Sequence, residues 1–438
     1  MKSSRQLVLQ LLIKMSTNSA FSNILLDEAL ISSQLSPQDK KFASALFYGV
    51  IERQLTLDEI IKKYSNRPVA KLSVETQQIL RMGIYQLLYM DSVPESAAVN
   101  ESVNLAKGNK NPSIAGFVNG LLRSFIRDGL QLPQGKNKIE KLSFEFSCPQ
   151  ALIKKWIDEY GEKYAVIMLE TSLGRAPIMI RANTQKASMS EIINELANDE
   201  IVAVEIPEIP DCLEIKTGAG VENSSAYKKG YFHVQDISSQ LCCMALGVKS
   251  GETVLDLCSA PGGKAFTIAE IMKNEGNLFA FDLHENRVQL IWKGAKRLGL
   301  SCIKAGINNA KVFKDDMPMA DKILCDVPCS GLGVIRRKPE IKYKNPDDFK
   351  SLPDIQLDIL ETSSRYLKVG GELVYSTCTI SKAENDDVIE RFLKNHTEFE
   401  KVPILSEFNK PFGDYKATIF PDYCNSDGFF IAKIRRAR

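Results

Sequence analysis

At 438 residues the chain exceeds one ordinary core, and a prior of ~100–200 residues per domain points to about two to four domains. Its composition, 44% hydrophobic and 25% charged with a formal net charge of +2, is that of a soluble globular protein, and no apolar run reaches the ~18 residues of a membrane span. Ten cysteines with no CxxC pair, and three scattered histidines, exclude a zinc site and a disulfide framework, so a reduced, cytoplasmic protein without metal is expected.

The opening segment MKSSRQLVLQLLIKMSTNSAF has a basic start and an apolar run, but Lys14 interrupts that run and no small-residue cleavage site follows. It reads as an amphipathic helix rather than a signal peptide. Helical spacing continues to residue 130, and Ser36 before Pro37 supplies an N-cap followed by proline at the first helical position. An all-helical domain over 1–130 follows. Its 15 Lys and Arg against 11 Asp and Glu permit a nucleic-acid partner, although such a bias is by itself more often a solvated face.

The polar stretch LPQGKNKIEK marks a linker, and residues 131–171 hold that linker and two helices broken at Gly161. Over 172–225, PIMIRANT, VAVEIP and CLEIKTG read as strands around the helix SMSEIINELAND, a small α+β module. From 226 to 438 the strands TVLDLC, LFAFDL, KILCDV and LVYSTC alternate with helical patterns. The alternation predicts a doubly wound, Rossmann-like α/β domain with a parallel sheet and helices on both faces.

In such sheets ligands sit beyond the carboxyl ends of the strands, and the unusual residues here fall in those places. TVLDL runs into CSAPGGKA, a turn in which Gly262 and Gly263 let backbone approach a ligand and Lys264 opens a helix whose N-terminus favours a carboxylate. A phosphate-binding P-loop is excluded because residue 258 is Cys where a glycine is required and Ala265 replaces the required hydroxyl; no GxGxxG turn occurs. The next strand ends at Asp282, where a carboxylate suits ribose hydroxyls. A nucleoside cofactor bound without a phosphate cradle fits S-adenosylmethionine. KILCDVPC then delivers Asp326 and Cys329 to one strand end and ELVYSTC delivers Cys378 to another. If those strands are neighbours, ~4.8 Å apart, two thiols and a carboxylate converge. Cys242, Cys243 and Cys325 read as small buried hydrophobes; Cys378, leaving a strand beside the crevice, is the better candidate nucleophile.

DLCSAPGGKA, DVPCSGLGVIRRKPEIKY and YSTCTISKAEND together resemble the RNA cytosine-5 methyltransferases with two active-site cysteines, a family that includes the Nop2/Sun proteins. YFHVQDISSQLCC resembles the segment entering that domain, RANT the start of an RNA-contacting module, and VPESAAVNESVNLAKG the RNA-binding fold of NusB. The resemblance narrows to the bacterial 16S ribosomal RNA methyltransferase B subgroup and covers nearly the whole chain.

The resemblance implies that Cys378 attacks carbon 6 of a cytosine, that Cys329 assists loss of the carbon 5 proton and product release, and that Asp326 faces the ring nitrogen N3. It also implies cofactor contacts from Cys258, Ser259, Ala260, Pro261, Gly262, Gly263, Lys264, Asp282 and Asp326. Where the family usually has an aspartate after the third strand, this chain has AGINNAKVF, so Asn308 or Asn309 must stand in. Arg181, Arg336, Arg337 and Lys338 are expected at RNA phosphates, and a monomer acting on 16S ribosomal RNA, free or in an immature small subunit, is expected. A transfer RNA methyltransferase would share the catalytic domain. A non-catalytic RNA-binding or assembly protein would not need Cys329, Cys378 and Asp326 together, and an oxidoreductase would need the absent GxGxxG turn.

Overall fold

Helical spacing in the first third of the chain becomes α1 (Ser4–Thr17), α2 (Ser22–Ser32), α3 (Pro37–Glu52), α4 (Gln54–Tyr64), α5 (Val74–Tyr89), α6 (Glu95–Lys107) and α7 (Ser113–Arg127). The computed structural model describes residues 3–17, 22–65, 67–108, 112–218, 220–408 and 411–438; positions 1–2 and 18–21 of the first predicted helical segment lie outside them. Ser36 caps α3, its hydroxyl accepting the Asp39 N–H at 3.1 Å, with Pro37 in the first turn. Leu46, Phe47, Leu57, Ile61, Ile79, Leu80 and Leu122 are buried together, each contributing ~1.5–3 kcal/mol. Gly49 allows α3 its close approach to the Tyr85 ring, since a Cβ there would stand 1.9 Å from it.

Two further helices, α8 (Lys138–Phe146) and α9 (Gln150–Thr171), complete the helical unit, and Gly161 breaks α9 with φ of 80° and ψ of 166°, as its position predicts. This unit comprises Met1–Arg175 and, from much later in the chain, Ile335–Lys344. The returning segment is anchored: Glu340 accepts from Ser22 N and Oγ at 3.1 and 2.9 Å, and the Tyr343 hydroxyl bonds the carbonyls of Glu52 and Ser147, both at 2.9 Å.

The second unit, Ala176–Val334 with Asn345–Arg438, begins with an antiparallel sheet. It contains β1 (Ile178–Ala182), α10 (Met189–Asn198), β2 (Val202–Glu205), β3 (Cys212–Thr217), α11 (Ser225–Lys229) and β4 (Phe232–Val234), in strand order β2-β3-β1-β4. Beyond it run α12 (Ile237–Leu246), β5 (Thr253–Asp256), α13 (Gly263–Ile271), β6 (Asn277–Asp282), α14 (Glu285–Leu298), β7 (Ile303–Ile307) and β8 (Ala320–Asp326). The chain ends with α15 (Leu352–Ser364), β9 (Leu367–Thr377), α16 (Asp386–Asn395), β10 (Phe399–Lys401), β11 (Lys416–Ile419) and β12 (Phe429–Arg436).

The large sheet has the order β10-β12-β9-β8-β5-β6-β7, with β11 beside β12. Strands β9, β8, β5, β6 and β7 are parallel, as the alternation predicts, but β12 enters antiparallel to β9 and makes the sheet mixed. The order reverses at β5, which places a crevice at the carboxyl ends of β5 and its neighbours. One core, including Leu241, Ile268 and Ile291, lies on one face; the other, including Leu360, Ile389 and Phe392, lies on the opposite face. No helix among the described residues is long and apolar enough to cross a membrane.

Candidate active site

Strands β8 and β9 are neighbours, with Asp326 opposite Ser376. That register answers the question the sequence leaves open: Cys329 and Cys378 leave adjacent strand ends and their sulfurs lie 3.2 Å apart, both half-buried. The sulfur contact first and burial second push the Cys329 thiol well above its ordinary range. Cys325, one residue before Asp326, points into the core, where burial pushes its thiol up to about 12; Cys242 on α12 behaves alike.

Asp326 is held on both oxygens, by Lys264 Nζ at 2.8 Å and by Ser376 Oγ at 2.8 Å. Burial acts to lower the Lys264 pKa, but the Asp326 carboxylate outweighs it and the ammonium is held above the ordinary lysine range. The glycine turn is thereby tied by an ion pair to the strand end that carries Asp326.

Both thiol-bearing turns are fixed by a buried carboxylate that sequence reading did not single out. Glu384, 3% exposed, accepts from Ser330 N at 2.8 Å, Ser330 Oγ at 2.6 Å and Gln356 Nε2 at 3.0 Å. Ser330 Oγ also meets Thr379 Oγ1 at 2.8 Å, so the residues following Cys329 and Cys378 share one network. Gln356 reaches the Pro328 carbonyl at 2.9 Å, and Gly333 N donates to the Cys378 carbonyl at 3.1 Å. Gly333 must be glycine: a Cβ there would stand 1.9 Å from the Gly428 carbonyl oxygen. The signal for Glu384 was its place six residues after Cys378 in a polar stretch, but its partners lie 28 and 54 residues away.

The cofactor side is built by the turn between β5 and α13. Gly262 adopts φ of 111°, and a side chain there would strike the Phe266 ring, so the turn needs glycine. Ala260 and Pro261 are joined by a cis peptide bond, Ser259 N donates to the Phe281 carbonyl at 2.8 Å, and Cys258 is half-buried. Asp282, at the end of β6, is buried and paired with Arg287 at 3.2 Å. Asn308, just past β7, is 2% exposed and neither its amide oxygen nor its nitrogen has a partner. Asn309 is exposed and its oxygen instead accepts the Lys311 N–H at 3.1 Å. Asp256 is likewise fully buried with both oxygens unpartnered, and burial raises its pKa to about 7. Unpartnered polar groups at the carboxyl ends of β5 and β7 are what a site for a polar nucleoside cofactor requires.

The expected phosphate contact at Arg181 needs correction. Arg181 is 5% exposed and its guanidinium is engaged by Glu270 at 3.1 Å and Asp211 at 3.3 Å, so it is a buried structural ion pair and does not face RNA. Arg336, Arg337 and Lys338 are half-buried in the segment that returns to the helical unit and hold interactions within the protein. Lys342 of the same run is 3% exposed, and burial lowers its pKa to about 8. Among the described residues no group of three or more His, Cys, Asp or Glu is placed to hold a metal ion.

The doubly wound sheet, its glycine turn and the acidic strand ends define a Rossmann-like methyltransferase domain, preceded by a helical region and a small α+β module. The chain matches the description "16S rRNA methyltransferase RsmB/F" over residues 243–435, the NusB family over 2–127, and the ferredoxin-like domain of RsmF/B-like methyltransferases over 148–222. It is 39% identical over 447 residues to the probable ribosomal RNA small subunit methyltransferase B of Bacillus subtilis (strain 168), covering 99% of each chain. It is similar to the crystal structure of PH0851, with a TM-score of 0.85 at 28% identity, covering 99% of this chain and 98% of that one. It shares its fold with NSun6 from Pyrococcus horikoshii, crystallised with SFG, with a TM-score of 0.61 at 21% identity, covering 66% of this chain and 98% of that one. The chain belongs to the 16S rRNA methyltransferase RsmB/F family.

Proposed function

We propose that the protein transfers a methyl group from S-adenosylmethionine to carbon 5 of a cytosine in 16S ribosomal RNA, through a transient bond between Cys378 and carbon 6. The observation that carries this reading is the convergence of Cys329, Cys378 and Asp326, with the two sulfurs 3.2 Å apart. The glycine turn 258–264, Asp282, Asn308 and Asp326 would hold the cofactor, whose sulfonium supplies an electrophilic methyl group.

Carbon 5 of cytosine is a poor nucleophile, and the protein's first task is to change that. The Cys378 thiolate adds to carbon 6, the ring double bond shifts its electrons toward N3, and Asp326, entering this step protonated, gives its proton to N3 and takes it back as the methyl group is transferred and the N3–C4 double bond reforms. Carbon 5 then has enamine character and takes the methyl group. Next, Cys329 in its thiolate form accepts the carbon 5 proton; the electrons of the broken C–H bond restore the ring double bond and expel Cys378 as thiolate.

Carbon 6 is hidden in a duplex, so the target lies in a loop or is turned out of its stack. The NusB-like region is proposed to add affinity for the RNA. Incubation with labelled S-adenosylmethionine and unmodified 16S RNA, followed by mapping, should give one labelled 5-methylcytosine; label on another base or position would sink the cytosine-5 reading, and label on transfer RNA alone would redirect the substrate.

A further inference from the structure

A cavity of about 330 Å³ lies over α13 and α14, where the small antiparallel sheet meets the methyltransferase domain. Its walls include Tyr227, His233, Phe266, Leu290, Lys293 and Arg297, and no acidic side chain lines it. The volume is at the lower end of ~300–1,000 Å³ ligand sites, enough for one nucleotide and too small for a duplex.

The walls are mostly ring and guanidinium faces held by their neighbours. Arg297 stacks 3.6 Å over the Tyr227 ring and is pinned there by donating to the carbonyls of Tyr227 at 2.7 Å and Phe232 at 3.0 Å. Phe266 meets His233 edge-on at 5.6 Å, and Gly294 leaves room for that phenyl ring, since a Cβ would stand 2.3 Å from it. Leu290, 49% exposed, and the exposed Lys293 line its solvent side. His233 is 3% exposed and held from behind, its Nε2 3.2 Å from Thr267 Oγ1 and its Nδ1 3.4 Å from the Glu270 carboxylate, so it offers the cavity a fixed ring.

Stacking rings, a fixed guanidinium plane and an exposed lysine side chain match a base with its phosphate. We propose that this cavity takes one unstacked nucleotide of the substrate RNA other than the target cytosine, and so contributes to site selection. Pro261 and Gly263 of the cofactor turn also line it, which sets this nucleotide against the turn from the side of α13 and α14. The proposal rests on the RNA methyltransferase reading.

The test is the affinity of the full-length protein for unmodified 16S RNA at fixed salt. Leu290→Glu and Trp292→Glu each add one negative charge at an exposed position of α14, but only Leu290 lines the cavity. Leu290→Glu should weaken RNA binding about tenfold, Lys293→Glu should follow it, and Trp292→Glu should stay within about twofold of wild type. Circular dichroism and S-adenosylmethionine binding matching wild type would establish that each variant is folded. Equal affinities for Leu290→Glu and Trp292→Glu, whether both fall or neither does, would overturn the proposal. Methyl transfer by wild type to the same RNA, measured alongside, separates the two ideas: its absence removes the methyltransferase reading and the cavity proposal with it, whereas transfer with equal variant affinities removes the cavity proposal alone.

Discussion

The sulfur of Cys329 lies 3.2 Å from that of Cys378, across the ends of two adjacent parallel strands. Two half-buried thiols at that separation close into a disulfide when a dithiol oxidant such as diamide removes two electrons and two protons. Diamide should therefore abolish methyl transfer, dithiothreitol should restore it, and peptide mass spectrometry should find the Cys329 to Cys378 link. Loss of activity with both thiols still reduced would contradict this geometry.

The unpartnered amide of Asn308 sets it apart from its neighbour. Asn308→Ala should weaken S-adenosylmethionine binding by roughly 5- to 30-fold, the worth of one or two hydrogen bonds, and Asn309→Ala by less than about twofold. Titration calorimetry measures both, and the reverse ranking would assign the cofactor contact to Asn309.

Glu384 joins the turns after Cys329 and Cys378 through three accepted hydrogen bonds. Glu384→Gln keeps the shape but turns one acceptor into a donor facing other donors, so it should cost about 2–3 kcal/mol and lower the thermal midpoint by several degrees. Turnover should fall more than RNA affinity. An unchanged midpoint would show that Gln356 and Ser330 find other partners at no cost.

Lys342 gives a pH signature in the helical unit. Burial lowers its pKa from 10.5 to about 8, so the unfolded chain binds the proton more tightly. The penalty is complete below pH 8, at ~1.4 kcal/mol per unit or about 3 kcal/mol, and stability recovers as the pH rises from 8 toward 10.5. Lys342→Met should raise the thermal midpoint at pH 7, and its advantage should shrink by pH 10. An advantage that is constant with pH would mean the ammonium is not desolvated.

Much of this site is legible in the sequence because strand ends are. Alternating apolar runs locate β5, β6, β8 and β9, and Asp256, Asp282, Asp326 and Cys378 stand where those runs stop. What the sequence leaves open is adjacency. Nothing local says that β8 lies beside β9, that β12 enters antiparallel, or that Glu384 is buried under two turns. Arg181 misleads for the same reason: an arginine in a polar motif looks available until Glu270, 89 residues later, is brought against it. Nor does anything local in the basic run after Cys329 say that its far end, at Lys342 and Tyr343, reaches the carbonyls of Phe146 and Ser147, about 200 residues away in sequence.

The division of labour between the two thiols is tested most directly by denaturing electrophoresis of Cys329→Ala and Cys378→Ala after incubation with 16S RNA and S-adenosylmethionine. Cys329→Ala should accumulate a covalent protein–RNA adduct, because attack and methylation proceed while the carbon 5 proton stays on, and Cys378→Ala should form none. An adduct with Cys378→Ala and none with Cys329→Ala would contradict the account and exchange the two roles.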